Sequence, residues 1–204
     1  MKAVMVEVPE RLLAWRRSTG ADRWDEIWEG TLHMPPAPNR EHQDFVDALK
    51  IWLELFWAAP EGNRVHRQVN LAAEGGWPDR DFRIPDLILL TPDRFGIDRN
   101  EYFEGAPLVV VEVHSPGDET YDKFDFYAKL NVPELWTIHR ETKAPEVYIL
   151  QGGKYRREQP GDEGWTRSPL TGVLLRRRSD RALDIQRENQ PDSRRALSHA
   201  RSAF

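Results

Sequence analysis

Pro107-Leu-Val-Val-Val-Glu-Val-His-Ser115 is the stretch that decides the fold. Its apolar residues are continuous rather than alternating, the pattern of an interior strand covered on both faces. Ile84-Pro-Asp-Leu-Ile-Leu-Leu-Thr91 has the same character. Downstream, residues 119–131 read as a helix capped by Asp118 or Thr120, with Phe124, Tyr127 and Ala128 on one face. Strands are expected at 134–139 and 145–150, and Gln151-Gly-Gly-Lys154 turns the chain back through 155–158. Upstream, Phe45, Leu49, Trp52, Leu53 and Phe56 recur at three-and-four spacing, so 40–58 predicts a helix capped by Asn39 and stopped at Pro60 and Gly62. Residues 64–72 alternate around Val65, Val69 and Leu71 as a half-buried strand, and 73–83 read as a loop. Residues 9–18 predict a short amphipathic helix opened by Pro9, and Glu29-Gly30 a hairpin turn within 24–34. The sum is α/β: a mixed central sheet flanked by helices, with an N-terminal helix and hairpin.

A chain of 204 residues suits one domain, or one domain and a tail. No run approaches the roughly 18 apolar residues of a membrane span. Pro9 and the charges of the first 13 residues argue against a secretory signal, so a cytoplasmic protein is expected. The absence of cysteine excludes disulfides, a thiol nucleophile and cysteine-based zinc sites. Net charge is −5, unlike a non-specific DNA coat protein. The charge is uneven, with eight Arg against four acids in 176–204. That segment reads as a solvated, partly helical or frayed extension, leaving 1–175 as the folded domain.

Glu112 is the anomaly. Its neighbours demand burial, and a buried carboxylate must be protonated, paired or bound to a cation. Asp86 opens the other interior strand, and carboxylates from neighbouring strands can share a hard cation such as Mg2+. Pairing in a salt bridge for Glu112, and a strand-opening structural role for Asp86, are the competing readings. His114 shares a strand face with Glu112, within reach of a metal-bound water, a phosphate or merely a core-edge hydrogen bond. Lys123 and Tyr127 lie one helical turn apart; an inward lysine can polarise water or offset phosphate charge. A lysine acting as base requires a depressed pKa. Glu26, between Trp24 and Trp28, and His42, at the head of the apolar stripe, either reach the same cleft or cap and pair locally. Glycine-rich phosphate loops, serine-hydrolase elbows and zinc-protease helices are absent from the sequence.

Taken in order, Ile84-Pro-Asp-Leu87, residues 107–116, Asp122-Lys-Phe-Asp-Phe-Tyr127 and Asn131-Val-Pro-Glu-Leu-Trp136 resemble the Uma-two family of restriction endonucleases, part of the PD-(D/E)XK superfamily. Glu26-Ile-Trp-Glu-Gly30, His42 and Ser168-Pro-Leu-Thr-Gly172 extend the resemblance, which covers about 9–175. It implies a restriction-endonuclease-like core that hydrolyses DNA phosphodiesters, with Mg2+ (or Mn2+) held by Asp86, Glu112 and the Val113 carbonyl. Lys123, beside Tyr127, takes the place of the lysine usual two residues after the glutamate, where His114 stands. His139 departs from the family's Asp, Asn131 from a common Gly, and the arginine-rich tail has no counterpart. A homodimer is expected because cutting both strands favours two-fold symmetry. The alternative is a non-catalytic dimeric binding or scaffold module with the same fold.

Overall fold

The structure is a computed structural model, and it describes residues 3–5, 9–115 and 117–198. Pro116, the last residue of the 107–116 segment of the family resemblance, lies outside the described residues, as does Arg201 of the basic tail.

The central sheet has the spatial order β12 (Lys154–Arg157), β11 (Pro145–Gln151), β10 (Glu134–His139), β9 (Val109–His114), β7 (Leu87–Leu90) and β4 (Arg64–Arg67). Only β9 and β10 pair in parallel, the others antiparallel. The two continuous apolar runs are thus β7 and β9, side by side in mid-sheet. Every residue of β7 is buried, as is β9 from Val109 to Val113. Both faces are covered. Leu87, Leu89, Val109 and Val111 join one buried cluster with Phe45, Leu49 and Trp52, while Ile88, Leu90 and Val110 join another with Phe126, Tyr127 and Leu135. Period-two geometry sends neighbours to opposite clusters, which is why the run is apolar throughout.

Helix α2 (Arg40–Leu53) lays its stripe on the first face. Asn39 caps it as expected, Oδ1 accepting the His42 N–H at 2.9 Å. The helix widens into a π-helical stretch at Glu54–Ala58 before a last turn, α3 (Ala59–Glu61), and ends on Gly62 at φ 69°. Pro60 has no N–H for the ladder, so widening just before it is the low-cost way to continue. Helix α1 (Glu10–Thr19) follows Pro9 and has no fully buried residue.

A second sheet has the order β1 (Ala3–Met5), β3 (Thr31–Met34), β2 (Glu26–Trp28), β6 (Phe82–Arg83), β5 (Leu71–Ala72) and β8 (Phe103–Glu104). The hairpin stands where it was expected, with Glu29 at φ 48° and Gly30 at φ 84°, the positive pair a two-residue hairpin turn requires.

Four expectations need correction. The loop read over 73–83 ends in a paired strand, β6, whose Phe82 lies opposite Ile27 and Ala72. The strand over 64–72 is two strands in different sheets, because Gln68 adopts φ 51° and turns the chain between them. The helix over 119–131 is a 3-10 turn at Tyr121–Lys123 followed by α4 (Phe124–Lys129); the Asp118 carboxylate spends its bonds on the Ser115 and Thr120 N–H groups upstream. Most importantly, 176–198 is not a frayed extension. β14 (Val173–Arg177) runs through the expected boundary and builds an antiparallel sheet with β13 (Thr166–Arg167), β15 (Leu183–Arg187) and β16 (Gln190–Leu197). Val173, Leu175, Leu183, Ile185 and Leu197 belong to the same buried cluster as α2. Arg176 and Arg194 stand on the opposite face, where both hold the buried Asp184 at 2.7 Å, and these charges mask the apolar alternation.

Candidate active site

β7 and β9 run antiparallel with Leu87 opposite Val111, so one further step sets Asp86 opposite Glu112. Asp86 precedes the strand because Pro85 cannot donate to a ladder. Its side chain continues the pairing instead: Oδ2 accepts the Val113 N–H at 2.7 Å. Oδ1 lies 2.7 Å from His42 Nε2, in the first turn of α2. Burial disfavours the His42 imidazolium, but the Asp86 carboxylate outweighs it, and the His42 pKa stands above its ordinary value.

Glu112 is 4% exposed. Its Oε1 accepts the Tyr127 hydroxyl at 2.6 Å and lies 3.2 Å from Lys123 Nζ. Lys123 ends the 3-10 turn and Tyr127 follows one turn later in α4, the shared face the spacing predicted. Lys123 also donates to Glu26 Oε1 at 2.8 Å. Glu26 in β2 is fixed in turn, accepting the Ile84 N–H and the Trp28 Nε1–H, each at 2.8 Å. Two buried carboxylates, Glu26 and Glu112, therefore flank one ammonium. Burial pushes the Glu112 carboxyl up to about 7, with Asp86 and Glu26 adding to the rise and Lys123 opposing it. Burial and the neighbouring Glu112 and Glu26 charges likewise hold the Tyr127 phenol well above its usual range.

Lys123 departs from the expectation of a depressed pKa. Burial favours the neutral amine, but Glu112 and Glu26 overcome it and raise its pKa. The carboxylates beside it favour the charged ammonium of Lys123.

Asp86, Glu112, Val113, Lys123, Glu26 and His42 all line one cavity of about 430 Å3, and Tyr127 braces it from behind. His114 does not line it. Its ring packs 5.0 Å from His139 and 5.1 Å from Tyr121, with Nε2 3.3 Å from the Tyr121 hydroxyl. At the strand's end it turns to the neighbouring parallel strand, whose His139 is its register partner. Sequence reading missed Arg140, Gln68 and Trp24, which also line the cavity. No local pattern marks them, because each arrives from a separate turn.

A six-stranded sheet whose β9-helix-β10 crossover carries Lys123, with Asp86 and Glu112 near the ends of neighbouring central strands, is a restriction-endonuclease-like fold. Residues 9–178 match the family described as "Uma2: Putative restriction endonuclease". The chain belongs to the Uma2 family. Among solved structures, the chain resembles one described as a "putative nuclease belonging to DUF820" from Anabaena variabilis ATCC 29413, at TM-score 0.56 and 16% identity. The alignment covers 71% of this chain and 81% of that one, and it shows a shared fold. No curated protein matches the chain. No helix among the described residues is long and apolar enough to cross a membrane.

Proposed function

We propose that the protein is a metal-dependent endonuclease that hydrolyses DNA phosphodiester bonds in the cavity lined by Asp86, just before β7, and by Glu112 and Val113 near the end of β9. The observation that carries this reading is the meeting of Asp86 and Glu112 across adjoining strands, with Lys123 Nζ 3.2 Å from Glu112.

Mg2+ or Mn2+ suits the donor set. Asp86 and Glu112 offer hard oxygens, and the Val113 carbonyl is the third proposed ligand. Burial, with Asp86 and Glu26 adding to it, raises the Glu112 carboxyl, and a dication would offset that cost of holding charge there. Two carboxylates with a carbonyl suit Mg2+, which takes one or two carboxylates and keeps waters. Among the described residues no group of three or more His, Cys, Asp or Glu is placed to hold a metal ion. When bound, such an ion supplies Lewis-acid charge that acidifies a coordinated water and offsets phosphate charge.

The protein's own groups do the rest. His42 and the Val113 N–H hold both oxygens of Asp86, so that carboxylate needs no reorganisation. Tyr127 orients Glu112 in the same way. Lys123 stays protonated at Nζ, aims a water by hydrogen bonding and stabilises charge developing on the phosphoryl oxygens. Glu26 keeps Lys123 in place.

The test is plasmid nicking by purified protein with Mg2+ or Mn2+. EDTA, Asp86→Ala and Glu112→Ala should each abolish it, and Tyr127→Phe should cost about 10- to 100-fold, as for partners that orient metal ligands. Nicking that persists in EDTA and in both alanine variants overturns the reading.

A further inference from the structure

Three cationic or potentially cationic side chains line the cavity, and two are committed to its carboxylates: His42 to Asp86, Lys123 to Glu26 and Glu112. The third is Arg140. Among the described residues its guanidinium has one ionic neighbour, Glu141, at 3.6 Å, too long for a hydrogen bond.

The backbone of Arg140 is nonetheless firmly held. Its N–H donates to the His114 carbonyl at 2.8 Å, tying it to the end of β9 just beyond Glu112. Its carbonyl accepts from the Lys143 ammonium. Lys143 is 1% exposed and sits 4.2 Å from the centre of the Phe45 ring on α2, one turn after His42. His139 Nδ1 accepts the N–H groups of Glu141 and Thr142, both at 3.2 Å, and closes the turn. The turn is therefore fastened to β9 and α2, two of the elements that supply the site, while the arginine's fork of donors is left without a strong partner.

A phosphodiester approaching Asp86 and Glu112 meets a wall of carboxylates and needs a cation that is not already spent on them. A guanidinium matches two phosphate oxygens at once. The geometry points to Arg140 as the residue that grips a backbone phosphate of the DNA next to the bond to be cut. This inference rests on the nuclease reading.

The test measures binding of a fluorescein-labelled 20-base-pair DNA duplex by anisotropy across a salt series. Millimolar Ca2+, a hard dication for oxygen ligands, replaces Mg2+. Plasmid nicking is run beside it. Arg140→Ala should bind about tenfold more weakly and lower the slope of log K against log salt by about 0.9, the value of one phosphate contact. Arg140→Lys should keep most of the slope but not the full affinity. Arg156→Ala, an equal charge loss on exposed β12, should change the slope less. Wild-type nicking with an Arg140→Ala slope equal to wild type overturns the role of Arg140 and leaves the nuclease reading standing. A wild-type protein that neither binds nor nicks overturns both.

Discussion

The least expected single residue is Lys143. Its ammonium is buried against Phe45 with a carbonyl, not a carboxylate, as its hydrogen-bond acceptor. Burial, with the nearby Arg140 charge, lowers its pKa from 10.5 to about 8. Between those values the unfolded chain binds more protons than the folded one, so stability rises as pH increases through that window. Urea midpoints at pH 7.5, 9 and 10 should climb in the wild type relative to Lys143→Met, whose apolar side chain of similar length removes this contribution. Parallel curves for the two proteins would rule the effect out. His139 belongs to the same turn. Its imidazole Nδ1 receives the N–H groups two and three residues on, the kind of local acceptor a short carboxylate also provides.

At the scale of elements, the Ser168-to-Gly172 segment of the family resemblance has a structural explanation. Glu134, at the start of β10, is fully buried. It accepts from Trp136 Nε1 and the Ser168 hydroxyl, and from the Leu170 N–H at 3.1 Å. Ser168 is joined to Thr171 at 2.6 Å, so this turn is built around the carboxylate. Burial raises the Glu134 pKa, and these donors oppose the rise. Glu134→Ala leaves three donors without their acceptor. It should destabilise by about 3 kcal/mol, seen as a melting temperature lower by about 6–12 °C. Nicking per folded molecule should be unchanged, since Glu134 does not line the cavity.

At the scale of the whole molecule, the C-terminal sheet belongs to the core. Leu183, Ile185 and Leu197 are buried with α2, and Trp52 Nε1 donates to the Ser193 carbonyl at 2.7 Å. Burying each such aliphatic side chain contributes about 1.5–3 kcal/mol, and three together rival the net stability of about 5–15 kcal/mol of an ordinary domain. A chain ended after Arg178 should lose its cooperative thermal transition by circular dichroism, whereas the full chain melts as one unit. A truncated protein that melts cooperatively near the full-length temperature would show the sheet to be dispensable.

The sequence by itself determined the central strands, the α2 stripe and its Asn39 cap, the Glu29-Gly30 hairpin and the suspicion attached to Glu112. Each of these is a local signal: a strand covered on both faces is apolar throughout, a cap lies beside its helix, and an acid in an apolar run is costly wherever it goes. Tertiary structure alone decided what pairs with what. It set Asp86 opposite Glu112, gave Lys123 two carboxylates that keep it charged, and turned His114 away from the cavity. It also brought Arg140 to the cavity and folded an arginine-rich stretch into a separate sheet packed on the core. Register, burial and the sum of nearby charges arise between residues far apart in the chain, so no window of sequence contains them.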